Sequence, residues 1–288
     1  MLRDEKYGLI GRRTCDEDVC AAPLFRRVAA LLDQPCSFRP GEVVPRGWHM
    51  ALFTPCARQS ALGRDGVAVE ETLLPNPDPA RFPRKMLGGR RIVFHGDLHI
   101  GAAVRRDSEI VSATSKEGRT GRLLVVTLSH RIFEEGSAAP VIVEEQDSIF
   151  REAPESSSAA SVPAASGSPA AEPRRHASLR RSIVFDPMLL FRYSAITFNA
   201  HRIHFDDPYT RHDEGYPALL VNGGLPALLL VEMARAQLDS GIRSVTTRNL
   251  RPLYCNRQAS LLGERSAGGW RMWAEDELGR TALEIEIS

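Results

Sequence analysis

The stretch LFRYSAITFNAHRIHFDDPYTRHDEGYPALLVNGGLPALLLVEMARAQL, residues 190–238, holds the two features around which the rest of the chain is arranged. Asn199, His201, Arg202 and His204 form a polar cluster, and further along the pair Gly223 and Gly224 opens an apolar, helix-forming run. A loop rich in titratable groups ahead of a glycine-started helix can build a base and an anion-stabilising pocket together, because the first N–H groups of a helix have no partner within it. The run LPALLLVEMARAQL, residues 225–238, is apolar on nearly all sides, which predicts a helix enclosed by a curved sheet.

Outward from this stretch, the downstream segments SVTTRNLRPLY (244–254), RQASLLGER (257–265), GWRMWAED (269–276) and RTALEIEIS (280–288) read as strands with glycine-marked turns. Residues 186–193 read as a short helix. The first half of the chain runs through similar elements. Residues 16–33, DEDVCAAPLFRRVAALLD, predict a helix with Leu24, Val28, Leu31 and Leu32 on one face and Pro23 near its first turn. A less regular helix is predicted over 47–63, broken by Pro55, with His49 at the helix surface or core edge. RRIVFHGDL (90–98), AVRRDSEIVSAT (103–114), RLLVVTLSHRIF (122–133) and APVIVEEQDSIF (139–150) predict four strands, and their short polar turns imply an antiparallel meander.

Two segments interrupt this pattern. Residues 65–89 are proline-rich and aperiodic, and a connection of that length reads as a functional flap; if it covers a ligand, Arg81, Arg84 and Lys85 are the charges it brings, and otherwise they are solvated loop charges. Residues 152–181 consist mostly of Ala, Ser, Pro, Glu and Arg; they carry too little apolar surface to offset the entropy of ordering and predict a disordered linker. The chain therefore divides into a half over 1–151, the linker, and a half over 182–288, each an α+β unit of helices followed by strands.

Composition excludes several classes. A formal charge of +1 gives no reason to expect nucleic acid. Lys6, Lys85 and Lys116 are the only lysines, so positive charge is carried almost wholly by arginine, which suits bidentate binding of carboxylate or phosphate. Five cysteines without a CxxC pair or a Cys/His ladder argue against a disulfide framework and against a metal site, and fit a reducing compartment. The charged N-terminus lacks a signal-peptide core, and no apolar run reaches the roughly 18 to 20 residues that span a bilayer. A cytoplasmic protein without a membrane partner is expected.

The residues from Ser194 to Asp206, SAITFNAHRIHFD, followed by LLVNGGL at 219–225, resemble the MaoC-like dehydratase/hydratase group of the hotdog fold. More narrowly, they are similar to the type 2 hydroxyacyl-thioester dehydratases and to the mesaconyl-C4-CoA and itaconyl-CoA hydratases. Trp48-His49, LGRDG at 62–66, FPRKM at 82–86 and GGRRIVFH at 88–95 carry the same resemblance in the first half. It implies a double hotdog, each half a central helix wrapped by an antiparallel sheet, with the second half catalytic and the first shaping the acyl pocket. The broader family carries an Asp-x-Asn-Pro-x-His pattern whose Asp and His hold the reacting water. Aligned on the final histidine, that role falls on His204, and Asn199 stands where the aspartate would be.

Adding water to an α,β-unsaturated thioester needs a base for the water, an acid for Cα, and donors for the oxygen that becomes enolate-like. His204 can serve as base and acid, Asn199 can orient the water through its carbonyl oxygen, and the N–H of Gly223 or Gly224 can hold the thioester oxygen with the helix dipole behind it. His201, Arg202 and Arg84 are candidates for substrate binding, although Arg202 also suits a structural pairing with Asp206. Asp206 and Asp207 read as helix caps, Tyr209 and Tyr216 as packing, and Glu232 with Arg235 as a structural ion pair. The expected substrate is an acyl-CoA, preferably itaconyl-CoA or mesaconyl-C4-CoA, with coenzyme A as part of the substrate and no further cofactor. An (R)-3-hydroxyacyl-thioester dehydratase is the alternative, and a non-catalytic thioester-binding subunit or a hotdog thioesterase belongs to a different class. Paired halves can satisfy the usual hotdog dimer within one chain, so both a monomer and a homodimer remain open.

Overall fold

The computed structural model describes residues 7–35, 37–69, 73–118, 121–152, 175–238 and 241–288. The strands are β1 (Arg13–Val19), β2 (Arg84–Phe94), β3 (Ala103–Gly118), β4 (Gly121–Glu134), β5 (Ile142–Arg151), β6 (Leu179–Val184), β7 (Ser244–Asn249), β8 (Gln258–Ser266), β9 (Gly269–Glu275) and β10 (Thr281–Ile287). They form one antiparallel sheet in the order β1-β3-β4-β5-β2-β7-β10-β9-β8-β6. Read from either edge inward, the order is the same: first strand, third, fourth, fifth, second. The chain is thus a duplicated unit whose halves join where β2 pairs with β7, Ile92 opposite Val245. This is the α+β double-hotdog architecture. The expected meander holds only for β3 to β5, because β2 crosses over to lie between β5 and β7.

Helix α1 (Ala22–Leu31) buries Phe25, Val28, Ala29 and Leu31. The helix predicted from residue 16 starts later, with Pro23 in its first turn, and Asp16 to Val19 belong to β1 instead. There alternation wins over helix capping: Asp16 and Glu17 sit opposite Arg106 and Arg105, and Asp16 pairs with Arg106 at 2.8 Å. The second predicted helix shrinks to two single 3₁₀ turns, Trp48–Ala51 and Gln59–Ala61, the first ending at Phe53 in a left-handed conformation.

In the second half, α2 (Pro187–Ile196) and α3 (Asp207–His212) precede α4 (Gly224–Arg235), which packs against β8, β9 and β10 and buries Leu225, Leu228, Leu229, Leu230, Val231 and Ala234. The polar end of α4 meets the first half. Glu232 takes hydrogen bonds from the Trp48 indole and from Gln34, both at 2.8 Å, besides its ion pair with Arg235 at 3.0 Å. Among the described residues the first half has no helix of this kind over its sheet; the 3₁₀ turn at Trp48 stands in the corresponding place in chain order.

Without a central helix, the first half divides its core. One apolar cluster runs from Val104, Ile132, Ile142 and Ile92 through α1 into the second half. A second holds Leu9, Leu74, Phe82, Ile110, Leu124, Val126, Leu128 and Phe150. Between them a polar band crosses the sheet: Ser108, His130 and Glu144 are in register, and Arg90 stands opposite Gln146 in the next row.

Two expectations change here. The segment over 65–89 is partly strand, since β2 begins at Arg84, and its described remainder packs Leu74 and Phe82 into the second cluster. It covers a core, and Arg81 pairs with Glu152 at 2.9 Å. Of the predicted linker, residues 153–174 lie outside the described residues. Its final residues, 179–181, are strand, because Leu179, Arg180 and Arg181 pair with Gly263, Leu262 and Leu261 of β8.

Candidate active site

The polar cluster hangs on the end of α2. Phe198, at a φ of 47°, turns the chain out of the helix, and the Asn199 N–H returns to the Ser194 carbonyl at 2.8 Å. The Asn199 side-chain oxygen then accepts the His201 N–H at 3.0 Å, closing a turn that leads into the 3₁₀ turn Arg202–His204. That oxygen, expected to orient water, also holds the loop, and an amide oxygen has a second lone pair for a further donor. Asp206 caps α3 by accepting the Tyr209 N–H at 3.1 Å.

The first half clamps this loop. The Arg202 N–H donates to the Asp65 carbonyl at 2.8 Å, and its guanidinium donates to the Arg64 carbonyl at 3.0 Å. Gly66, at a φ of 84°, lies so close to the Ala200 carbonyl that any Cβ there would collide with it. Arg202 also pairs with Asp206 at 2.7 Å and stacks over the Tyr209 ring at 4.0 Å, so its guanidinium is committed to the protein. Arg84 is likewise engaged, donating to the Glu214 carbonyl at 3.2 Å beside the Tyr216 ring. Arg202 thus spends Nε and both terminal amino groups within the protein, whereas Arg84 spends one amino group.

His204 is 8% exposed, and its Nδ1 lies 2.9 Å from the Leu220 carbonyl. A carbonyl only accepts, so Nδ1 carries the proton and Nε2 keeps its lone pair. Burial pushes the His204 pKa down to about 4; the Leu220 bond works in the opposite direction, and His201 adds to the lowering. The imidazole is therefore neutral at pH 7. His201 lies edge-on at 5.6 Å between ring centres, its own pKa lowered by burial against the charges of Asp65 and Glu214.

Leu220 joins this histidine to the helix. Its N–H donates to the Ile203 carbonyl at 2.9 Å while its carbonyl receives His204, so the strand-like approach to α4 is stitched to the 3₁₀ turn. Gly223 caps α4, and Gly224 donates its N–H to the Asn222 side-chain oxygen at 3.2 Å. Of the two expected oxyanion donors, Gly223 is the one whose N–H is unengaged among the described residues. Gly224 is required for another reason: a Cβ there would collide with the Tyr193 hydroxyl.

Tyr193 was not singled out by sequence reasoning, and neither was Asn249, whose side chain faces Gly223. Tyr193 is 4% exposed, and burial pushes its pKa up to about 12, keeping it a protonated donor at neutral pH. Its signal was spacing: in α2, Tyr193 and Leu190 lie on one face and turn inward together. A groove of about 550 Å³ elsewhere, between β1 and the β4–β5 turn, is lined by Glu17, Asp18, Glu134 and Glu135 and by no residue of this loop or of α4. Its carboxylates suit neither an oxyanion nor an anionic thioester.

A neutral histidine is thus tied through Leu220 to the approach to α4, and a buried hydroxyl lies at the first turn of that helix. The sequence model of hydroxyacyl-thioester dehydratase type 2 matches residues 47–255. A mesaconyl-C(4)-CoA hydratase of Chloroflexus aurantiacus is 38% identical over 281 residues, 96% of this chain and 95% of the relative. The crystal structure of HtdX of Mycobacterium tuberculosis superposes with a TM-score of 0.66 at 16% identity, over 96% of this chain and 99% of that one. A second protein of that organism, described as having a double hotdog fold, gives 0.59 at 14% identity over 96% and 95%. With sequence match and fold in agreement, the chain belongs to the hydroxyacyl-thioester dehydratase type 2 family.

Proposed function

We propose that this enoyl-CoA hydratase acts on a short unsaturated dicarboxylic acid carried as a CoA thioester, mesaconyl-C4-CoA or itaconyl-CoA. The observation that carries the reading is His204: a buried, neutral imidazole whose Nδ1–H is fixed on Leu220, leaving Nε2 as the free base. Water bound at Nε2 gives up its proton as its oxygen attacks Cβ of the enoyl group. Electrons move onto the thioester oxygen, held by the Gly223 N–H and the Tyr193 hydroxyl, and return as Cα takes the proton from His204 on the same face. A histidinium with a pKa near 4 is a weak base but a strong acid, which favours that second transfer. Asn199 and Arg202 position the loop. The reaction draws on no cofactor besides the coenzyme A of the substrate.

The preference for a dicarboxylyl group rests on the 38% identity to the Chloroflexus hydratase over nearly the whole of both chains. The second reading, an (R)-3-hydroxyacyl-thioester dehydratase of fatty-acid metabolism, is favoured by the family description and would need an apolar tunnel for the acyl chain. The unpaired thiols of Cys15, Cys20, Cys56 and Cys255 support a reducing, cytoplasmic setting. No helix of the described residues is long and apolar enough to cross a membrane. With β2 and β7 joining both halves in one chain, a homodimer is not required to complete the site.

The test is a panel of mesaconyl-C4-CoA, itaconyl-CoA, crotonyl-CoA and a long-chain 2-enoyl-CoA, assayed with wild type and His204→Ala. We expect the dicarboxylyl thioesters to give the highest kcat/KM, and the variant to lose about 1,000-fold, within the usual range for removing a general base. Full activity in His204→Ala would remove it as the base; a preference for the long chain would transfer the assignment to the second reading.

A further inference from the structure

We propose that Arg90 is the carboxylate-binding residue of the acyl pocket, and that its free guanidinium edge selects acyl groups ending in a second, ionised carboxylate. The inference deepens the proposed function and rests on it. Strand alternation puts Arg90 on the same face of β2 as the buried Ile92 and Phe94, so a permanent cation is turned toward the interior. It stands where the two halves meet, its backbone N–H donating to the Thr247 hydroxyl of β7 at 2.9 Å.

Only one edge of the guanidinium is used. Nε donates to Gln146 at 3.1 Å and lies 3.2 Å from Glu144. Glu144 is in turn held by His49 Nε2 at 3.2 Å, and the other nitrogen of that histidine is buried without a partner among the described residues. The two terminal amino groups of Arg90 make no hydrogen bond among the described residues, and its side chain retains 30% exposure. Guanidinium has five donors in a planar fork, so one edge can be anchored by Glu144 while the other receives a ligand carboxylate in bidentate fashion.

Arg90 stands opposite Thr247 of β7, and Asn249, two residues along that strand on the same face, faces Gly223 at the start of α4, where the Tyr193 hydroxyl rests against Gly224. A cation, a hydroxyl donor and the helix terminus therefore follow one another across the junction. With the thioester oxygen at Gly223, the proposal places the distal carboxylate of the acyl group at Arg90. An aliphatic chain on that path would have to desolvate the Arg90–Glu144–His49 band with nothing in return. Arg202, one of the arginines expected to bind substrate, already has Nε and both terminal amino groups bonded to Asp206 and the Arg64 carbonyl.

The experiment compares kcat/KM for mesaconyl-C4-CoA, its carboxamide analogue and crotonyl-CoA in wild type, Arg90→Gln and Arg90→Lys. Wild type is expected to prefer the carboxylate over the carboxamide by about 100-fold or more, as a site built around a polar partner does. In Arg90→Gln the ratio is expected to collapse toward unity, and in Arg90→Lys to be intermediate, because an ammonium keeps the charge and loses the fork. Where Arg90→Gln fails to fold because Glu144 is left unpaired, Arg90→Gln with Glu144→Gln gives the same readout. Equal loss on all three substrates, or an unchanged ratio, would overturn the role. The wild-type ratio needs no variant: activity on crotonyl-CoA without preference for the carboxylate sinks the inference alone. Inactivity on every thioester sinks the hydratase reading and the inference with it.

Discussion

The proposed base makes a sharp statement about pH. A histidine acts as a base only when neutral, and an ordinary one is half protonated near pH 6.5. Burial lowers His204 to about 4, so kcat/KM is expected to stay level from neutrality down to about pH 5 and to fall below it. A pH profile on crotonyl-CoA, taken in assays short enough to precede acid unfolding, checks this; an inflection near 6.5 would mean that the ring is solvated in the working enzyme. His204 was legible in the sequence because FNAHRIH is a specific pattern. The loop-holding bond of Asn199 was not, because where the His201 N–H points is shown only by the folded turn. Arg90 was visible as part of GGRRIVFH, and period two already put it on the face of Ile92 and Phe94. An inward charge at an apolar position was the signal that went unread.

At the scale of elements, the start of α4 depends on what packs over it. Asn222 accepts one N–H, Gly223 leaves one free, and Tyr193 from α2 occupies the space above Gly224. Gly224→Ala is expected to destabilise the protein by about 1–3 kcal/mol through overpacking, and Tyr193→Phe in the same chain to recover most of that loss. Urea unfolding of the two single variants and the double measures the coupling; additive effects would show that Tyr193 and Gly224 do not touch. Strands β2 to β5 and β7 to β10 were readable from alternation, and α4 from its apolar run. The helix predicted over 47–63 was not realised. Pro55 and the left-handed Phe53 break it, and Trp48 is pulled across to Glu232.

The whole molecule is one sheet shared by two halves, and its larger core crosses between them through α1, α2 and α4. Residues 175–288 expressed alone would expose the β7 edge and leave Glu232 without Trp48 and Gln34. That fragment is expected to aggregate or remain unfolded, while the full chain melts in a single calorimetric transition; two separated transitions would show independent halves. Acid should act on the whole as well. His130 and His204 are both lowered to about 4, chiefly by burial. Between pH 6.5 and 4 the unfolded chain binds protons that the folded chain refuses. Stability is therefore full above 6.5 and declines as pH falls toward 4, by on the order of 2–3 kcal/mol for each histidine. Denaturant titrations at pH 7, 5.5 and 4.5 measure the decline, and equal midpoints would show both rings to be solvated.

By itself the sequence determined the strands, the enclosed helix, the division into halves and the FNAHRIH loop, because each of these is written in local periodicity or in a contiguous motif. The tertiary structure decided which strand bridges the halves, which glycine N–H stays free, and which guanidinium keeps an open edge. These are outcomes of competition among groups far apart in the chain. Arg202 was taken by Asp206 and Arg64, and Arg90 was left with one open edge. A hydrogen-bond donor becomes available for chemistry only when no acceptor in the fold has claimed it, and that is settled by packing rather than by spacing.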